Sequence, residues 1–201
     1  MATPFNEDEI RFIKLKLNES AQECLGKYGV KKTTVDQLTE MSGISKGSFY
    51  KFYPSKEILF FYVIENYQSS LIEEITAKLK DNHKITPDKF TEFIYDIFQN
   101  VRHSFIMNIF ENKEFDYLIR KLPKKLILKH HTFDNRFAEN LFKYIKLKKG
   151  IDAEVVTASL RAIFMTMVYV SEIGEKEYNE VLKLLIKGLA HQIMEVGNYD
   201  E

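Results

Sequence analysis

Residues 45–51, with the sequence SKGSFYK, carry polar and basic side chains of the types that hydrogen-bond to phosphates and base edges. Ser45 can cap a helix that begins at Lys46, and small residues in the first turns would let that helix approach a major groove closely. The chemistry on offer is therefore recognition of a polyanion. A helix this short is unstable alone, so neighbouring elements must hold it in place.

The preceding residues supply the other half of a helix-turn-helix motif. Thr33 and Asp36 have the spacing of a capping box, which predicts that a helix starts there. Gly43 can adopt the positive φ that a tight turn between two crossed helices uses. The apolar residues spaced to pack against the first helix of the pair are Ile44, Phe49 and Phe52. This packing would leave the polar side chains of residues 45–51 facing outward.

Charge favours a polyanionic partner only locally. The chain has 201 residues with 29 Lys and Arg against 29 Asp and Glu, so its formal net charge is zero. Residues 27–56, in contrast, contain six lysines and only two acidic residues. Two interpretations fit this pattern: a DNA-binding helix-turn-helix, or a helical hairpin with ordinary solvated lysines.

The segment Thr33–Phe60 resembles the N-terminal DNA-binding domain of the TetR (tetracycline repressor) family of bacterial transcription regulators. The positions that match the family pattern are Thr34, Val35, Leu38, Ser42, Gly43, Ile44, Ser45, Gly47, Phe49, Tyr50, Phe52, Tyr53, Ser55, Lys56, Glu57 and Leu59. Upstream, Ala21, Leu25 and Gly29 match the end of the family's first helix. Thr39 stands where alanine is usual in the family, and Lys51-Phe52-Tyr53 replaces a more usual His-Tyr-Phe.

The resemblance implies a set of DNA contacts: Thr34, Ser45, Lys46, Gly47, Ser48, Tyr50, Lys51, Tyr53 and Lys56. Base edges would come within reach of residues 46–48, whereas Thr34, Tyr50, Tyr53 and Lys56 would contact mainly the phosphate backbone. Packing beneath the following long helix is the alternative interpretation of Tyr53. The substitutions leave the operator sequence open.

Apolar residues recur at three- and four-residue steps along the whole chain, which predicts an all-α protein of about nine helices. We expect a three-helix DNA-binding domain at residues 1–54 and a helical ligand-binding and dimerisation domain at residues 55–201. Start and stop signals predict further helices at about Glu7–Tyr28, Ser55–Lys80, Pro87–Phe105, Lys124–Lys148, Asp152–Gly174 and Glu177–Val196.

The last two of these helices have more apolar surface than one face can bury. Ala162–Val170 (AIFMTMVYV) is apolar all round except at Thr166, and the final helix is apolar on more than one face. Such helices must be covered on both sides, most simply by the same helices of a second copy. The alternative is that both are covered within the monomer.

The central helices are rich in Phe and Met, a composition that suits a bulky apolar ligand. The candidate ligand-binding residues are Phe98, Arg102, Phe105, Phe115, Phe137, Phe164, Met165 and Val168. Arg102 could pair with a ligand carboxylate. The alternatives are a tightly packed aromatic core and a surface ion pair for the arginine.

A second basic block covers residues 121–149, where nine Lys and Arg face only Asp134 and Glu139. A solvated helix face is the ordinary interpretation of such a block. Contact with DNA or with an anionic ligand is the alternative.

No nucleophile with its base, paired carboxylates, phosphate-binding glycine loop or metal-ligand cluster has a plausible spacing, so we expect neither an enzyme nor a cofactor or metal. The single cysteine and the acidic N-terminus favour a cytoplasmic protein. Ala162–Val170 is about half the length that a membrane span needs, so we expect no membrane partner.

The sequence therefore predicts a homodimeric repressor that a small hydrophobic ligand releases from its double-stranded DNA operator. The alternative from a different class is a helical carrier of small molecules or lipids without DNA-binding activity.

Overall fold

The computed structural model describes residues 5–80, 85–130 and 133–195. Its helices are α1 (Glu7–Lys32), α2 (Val35–Ser42), α3 (Lys46–Phe52), α4 (Lys56–Lys80), α5 (Pro87–Arg102), α6 (Phe105–Glu111), α7 (Phe115–Lys121), α8 (Lys124–His130), α9 (Phe133–Phe142), α10 (Ala153–Met165), α11 (Val170–Ile173) and α12 (Tyr178–Ile193). A 3-10 turn, Thr166–Tyr169, separates α10 from α11. The all-α prediction is confirmed, since no β-strand occurs in these ranges.

The described part of the chain has more helices than the nine predicted, because predicted long helices are interrupted. The helix that starts at Pro87 stops at Arg102, and Ser104 accepts a hydrogen bond from the Ile106 N–H to begin α6. Within the predicted helix Lys124–Lys148 the structure describes α8 and α9, and α9 already ends at Phe142. Interruptions of this kind arise from local caps and tertiary packing, which hydrophobic periodicity does not register.

The predicted helix Asp152–Gly174 begins as expected, because the Asp152 carboxylate accepts a hydrogen bond from the Glu154 N–H. It departs from α-helical geometry at Thr166, whose hydroxyl donates to the Ile163 carbonyl at 2.6 Å. The last helix is also shorter than predicted, running from Tyr178 to Ile193. Its predicted end at Val196 lies outside the described residues.

The chain divides into two compact units. The first consists of Met1–Tyr67 with Ser104–Ile127, and the second of Gln68–His103 with Leu128–Glu201. The predicted domain boundary after residue 54 stays a prediction. The first compact unit extends beyond it, since this unit also contains the beginning of α4 and the whole of α6 and α7.

In the first unit, α1 packs against α2 and α6, and α2 packs against α3. Leu17, Cys24 and Leu25 of α1 are fully buried. The Asn108 side-chain amide on α6 donates to the carbonyls of Leu25 at 2.6 Å and Gly26 at 3.0 Å. A segment remote in sequence therefore belongs to the same packed unit as the helix-turn-helix.

In the second unit, α5 packs along α12, and α10 contacts α9 and α12. Thr86 caps α5 as predicted, because its hydroxyl accepts a hydrogen bond from the Lys89 N–H and Pro87 follows it directly. Leu182 and Ile186 of α12 are fully buried, so one face of this helix belongs to the core of the unit.

The residues from Ala153 to Ile173 form an exposed apolar stretch. This stretch has the length and composition of a membrane-crossing helix, with a mean hydropathy of 1.4, and only 17% of it is buried within the chain. Val155, Met165 and Tyr169 are among its large exposed side chains. One such helix is weak evidence for a membrane, since helices that pack against a protein partner have the same character.

Candidate nucleic-acid interface

Helix α2 begins one residue later than the capping box predicted from Thr33 and Asp36. The cap is Thr34, whose hydroxyl accepts a hydrogen bond from the Gln37 N–H, while the Gln37 side chain accepts one from the Thr34 N–H at 2.8 Å. Thr33 is fully buried instead, and its hydroxyl donates to the Gly29 carbonyl. Both threonines could serve as a cap, and tertiary burial decides between them.

The turn and the start of α3 follow the sequence prediction. Gly43 has φ +69° and ψ 28°, the left-handed conformation expected after α2. Ser45 caps α3, because its hydroxyl accepts a hydrogen bond from the Ser48 N–H at 3.0 Å. The two serine hydroxyls lie 2.9 Å apart, so they also bond to each other.

Helix α3 presents a buried face and an exposed one. Phe49 is fully buried, as is Leu38 of α2, so these residues join the two short helices. Phe52 is half-buried, with its ring centre 5.7 Å from that of Phe5. The exposed positions on the other side are Lys46, Gly47, Tyr50 and Lys51. Tyr50 is 51% exposed, which leaves its hydroxyl accessible to a partner.

Lys46 forms an ion pair with Asp36 across the helix-turn-helix, at 2.9 Å between the ammonium and one carboxylate oxygen. The hydrogen bond to Asp36 raises the pKa of Lys46. Both side chains are more than half exposed, so solvent screens the pair and its contribution to stability is small. The pair restricts the lysine near the start of α3 while keeping it accessible.

Among the residues that the structure describes, no contact requires glycine at position 47. A Cβ added there would meet only the Ser45 hydroxyl oxygen at 3.9 Å, an ordinary van der Waals distance. Glycine disfavours a helix by about 1 kcal/mol relative to alanine. The missing side chain therefore offers close approach to something outside the chain.

Tyr53 is half-buried rather than outward-facing. Its ring centre lies 6.2 Å from that of Phe49 and 6.1 Å from that of Tyr62 on α4. Burial raises the pKa of the Tyr53 hydroxyl. This position agrees with the alternative interpretation of packing beneath the long helix, and its contact with DNA stays a prediction.

Lys56 stabilises the end of α1. Its ammonium donates to the carbonyls of Val30 at 2.8 Å, Lys31 at 3.2 Å and Thr33 at 2.5 Å. Burial lowers the pKa of Lys56, and nearby Glu57 and Glu114 oppose that shift. Positive charge at a helix C-terminus also complements the helix dipole. A phosphate contact by Lys56 stays a prediction, alongside this structural role.

Glu114 is a residue of this region that sequence reasoning missed. It is 6% exposed, and its carboxylate accepts hydrogen bonds from the backbone N–H groups of Val30 and Lys31. Gly29 has φ +76°, and a Cβ added there would lie 2.5 Å from a Glu114 carboxylate oxygen. Glycine is therefore required at position 29. No local signal marks Glu114, because it lies 84 residues from Val30.

The predicted ligand-binding residues divide between the two units. Phe105 and Phe115 belong to the first unit, where Phe105 packs edge-on against Tyr67 and Phe115 stacks on Phe110. The other predicted residues, namely Phe98, Arg102, Phe137, Phe164, Met165 and Val168, belong to the second unit.

Within the second unit, Phe98 and Phe164 pack edge to face with ring centres 5.8 Å apart. The Arg102 guanidinium lies 4.8 Å from the ring centre of Tyr178, and it donates to the Asn179 side-chain oxygen at 2.9 Å. Burial raises the pKa of the Tyr178 hydroxyl. In the part of the chain that the structure describes, Arg102 has no carboxylate partner.

The remaining members of the second-unit group are Phe137 and Val168, which are half-buried, and Met165, which is 40% exposed. Across residues 5–80, 85–130 and 133–195, no three His, Cys, Asp or Glu side chains are grouped so that they could hold a metal ion.

Comparisons with known proteins agree with this geometry. Residues 17–63 match the family model described as "Bacterial regulatory proteins, tetR family". A search of curated proteins found no match. The transcriptional regulator FadR from Bacillus subtilis in complex with stearoyl-CoA superposes with a TM-score of 0.68 at 15% identity, covering 89% of this chain and 98% of that chain.

Two further solved structures have the same fold. The SmeT–triclosan complex gives a TM-score of 0.63 at 12% identity, covering 92% of this chain and 93% of that chain. A TetR-family transcriptional regulator from Cytophaga hutchinsonii gives 0.62 at 16% identity, covering 96% of this chain and all of that chain. At these identities the likeness concerns the fold.

The described part of the chain is all-helical and carries an N-terminal helix-turn-helix, the arrangement by which DNA-binding proteins place a second helix in the major groove. The segment that matches the family model includes both helices of this motif, α2 and α3. Residues 17–63 therefore match the TetR family's N-terminal segment, and the chain has the fold of solved TetR-family transcriptional regulators.

Lys56 and Lys51 allow the structural role of a lysine in this region to be separated from a DNA-contacting role. We expect Lys56→Met to lower the free energy of unfolding by about 1–3 kcal/mol, because three carbonyls lose a charged donor. Urea unfolding followed by circular dichroism measures the change.

The matched control is Lys51→Met, whose ammonium lies 5.5 Å from the Phe5 ring centre on the exposed face of α3. Its stability should change by no more than about 0.5–1 kcal/mol. Equal stability of the two variants would show that the end of α1 does not depend on Lys56.

Proposed function

We propose that the chain is a homodimeric transcriptional repressor whose α3 helix binds an operator and whose affinity for DNA falls when a small hydrophobic ligand binds. The observation that carries this proposal is the division of α3 into a buried face and an exposed face bearing Lys46, Gly47, Tyr50 and Lys51, within the segment that matches the TetR model.

The exposed face of α3 has the features that a major-groove helix needs. Lys46 can reach base edges or phosphates, and the bare backbone at Gly47 permits close approach. Tyr50 and Lys51 lie further along the same helix, where phosphate contacts would fix its register. Ser45 and Ser48 are already bonded to each other, so a contact from either would exchange one bond for another.

The exposed apolar side chains of α10 and α12 support a homodimer. Leu184 is 70% exposed and Leu185 is 41% exposed on α12, while Val155 is 61% exposed on α10. No described residue comes within 4 Å of a Cβ added at Gly188, so another helix can approach closely there. Pairing these two helices with their copies would give a four-helix interface and remove the apolar surface from water.

The ligand proposal rests on the second unit, where Phe98, Phe164 and Arg102 lie on helices that pack around α12. Among the described residues Arg102 has no carboxylate partner, and an arginine of this kind beside an aromatic ring suits a ligand with a long apolar part and an anionic end. Stearoyl-CoA, bound in the B. subtilis FadR structure, has a long acyl chain of this kind. A ligand of this type can weaken DNA binding only through its different affinities for two states of the protein.

The DNA-binding function is tested with duplexes that the full-length protein enriches from a random library. We expect Lys46→Ala to weaken binding to the enriched duplex about tenfold or more, since a good base contact is worth about 1–3 kcal/mol. We expect Asp36→Asn to strengthen binding several-fold, because it releases Lys46 and removes a negative charge that would face the phosphates. Fluorescence anisotropy at one fixed salt concentration measures both.

Lys183→Gln on α12 is the control, since it removes one surface charge from the second unit. Failure to enrich any duplex, or equal affinity of wild type and Lys46→Ala, would exclude the repressor and favour a carrier without DNA-binding activity.

The homodimer is tested by placing a charge on the exposed face of α12. Leu184→Glu should convert the dimer to a monomer in light scattering, because the charge would be buried at the interface without a partner. Phe12→Glu is the matched control, as Phe12 is 58% exposed on α1 of the first unit. A dimer that survives Leu184→Glu would contradict an interface through this face.

The ligand proposal is tested with stearate and its neutral analogue stearyl alcohol. Arg102→Gln should raise the Kd for stearate about tenfold, because a charge-assisted hydrogen bond is lost, and should leave the alcohol unaffected. Calorimetry measures both affinities. The same loss for both compounds would mean that Arg102 acts through packing on Tyr178 and not as an anion anchor.

A further inference from the structure

The two basic blocks of the sequence meet on the surface of the first unit. The ammonium of Lys31, near the end of α1, lies 5.5 Å from the ring centre of Tyr117 on α7. The ammonium of Lys121, at the end of α7, lies 5.6 Å from the same ring centre. A half-buried aromatic ring therefore joins cations from segments about ninety residues apart.

Other exposed cations lie in the same two segments, residues 27–32 and residues 113–125. Together these cations define what we call the α1–α7 surface. Its basic residues are Lys27, Lys31, Lys32, Lys113, Arg120, Lys121, Lys124 and Lys125. Among the described residues none of them forms an ion pair. The acidic residues within these segments are Asp116 and Glu114, and Glu114 is buried against the backbone of Val30. The surface is strongly positive in a chain of zero net charge.

The α1–α7 surface continues directly into the helix-turn-helix. Thr34, the cap of α2, follows Lys31 by three residues, a distance of at most about 10 Å along the chain. Lys56 holds the carbonyls of Lys31 and Thr33, so this connection is fixed. An anion that extends from the helix-turn-helix past the end of α1 would therefore meet Lys31 and Lys121.

We propose that the α1–α7 surface binds the phosphate backbone of DNA flanking the base pairs that α3 contacts. A polyanion fits better than a single anion, because the cations are all exposed and are spread over two segments of the first unit. Tyr117 keeps Lys31 and Lys121 ordered at the surface. The inference rests on the proposed function, since it lengthens the DNA footprint of that same interface.

The test compares two lengths of the enriched duplex. One is trimmed to the base pairs that the enriched duplexes have in common, and the other is extended by about ten base pairs on each side. Wild type should bind the extended duplex several-fold more tightly. The double variant Lys31→Gln/Lys121→Gln should bind both lengths alike. On the extended duplex the slope of log Kd against log salt should fall by about 0.9 for each lysine in each bound subunit.

The double variant Lys176→Gln/Lys183→Gln is the matched control, because it removes the same charge from exposed positions of the second unit. It should retain the wild-type preference for the extended duplex and the wild-type salt slope. Unfolding curves confirm that every variant is folded.

Four outcomes would overturn the inference. In the first, wild type binds both lengths equally. In the second, the Lys31→Gln/Lys121→Gln variant keeps the preference for the extended duplex. If Lys46→Ala still weakens binding, either result excludes a DNA contact by the α1–α7 surface and leaves the proposed repressor function intact. Pyrophosphate binding in calorimetry that the lysine variant abolishes, without a length effect, would assign the surface to a small phosphorylated molecule. Failure to enrich any duplex would overturn both proposals.

Discussion

The connection between α1 and α2 depends on two charged side chains that lie far away in the sequence. The backbone leaves helical geometry at Gly29, so the following N–H and C=O groups lose their partners within the helix. The Glu114 carboxylate accepts hydrogen bonds from the N–H groups of Val30 and Lys31. The Lys56 ammonium donates hydrogen bonds to the carbonyls of Val30, Lys31 and Thr33. Each buried backbone group left unpaired would cost about 1–3 kcal/mol, so this arrangement sets the direction in which the chain enters the helix-turn-helix.

The local features of the helix-turn-helix could be predicted from the sequence, and its anchorage could not. Gly43 and Ser45 act through residues at most four positions away, so pattern and turn chemistry suffice to find them. Thr34 and Thr33 are equivalent by the same criteria, and burial of Thr33 against α1 decides which one caps α2. Glu114 has no signal of its own, because its partner is a backbone segment that only the folded chain brings near.

The second unit shows where periodicity fails. Apolar spacing predicted the helices but not their interruptions, such as the change to 3-10 geometry at Thr166, whose hydroxyl bonds to Ile163 and to Tyr178 on α12. The bond to Tyr178 belongs to the tertiary structure, and hydrophobic periodicity along the chain does not register it. Composition likewise predicts the ligand-binding residues without regard to their position in the fold. Phe105 and Phe115 lie in the first unit, whereas the other predicted residues lie in the second.

Under the proposed function, the ion pair between Lys46 and Asp36 would let a chain of zero net charge present a positive helix to DNA without losing specificity. An exposed, solvent-screened pair of this kind contributes little, whereas a correct base contact is worth about 1–3 kcal/mol. Exchange of Asp36 for a base is therefore favourable only where the right hydrogen-bond partner is present. On other DNA the lysine loses little by staying paired, so Asp36 lowers non-specific attraction more than specific binding. Under the proposed function, the single acidic residue beside α3 would therefore make DNA recognition more selective than the local charge alone would allow.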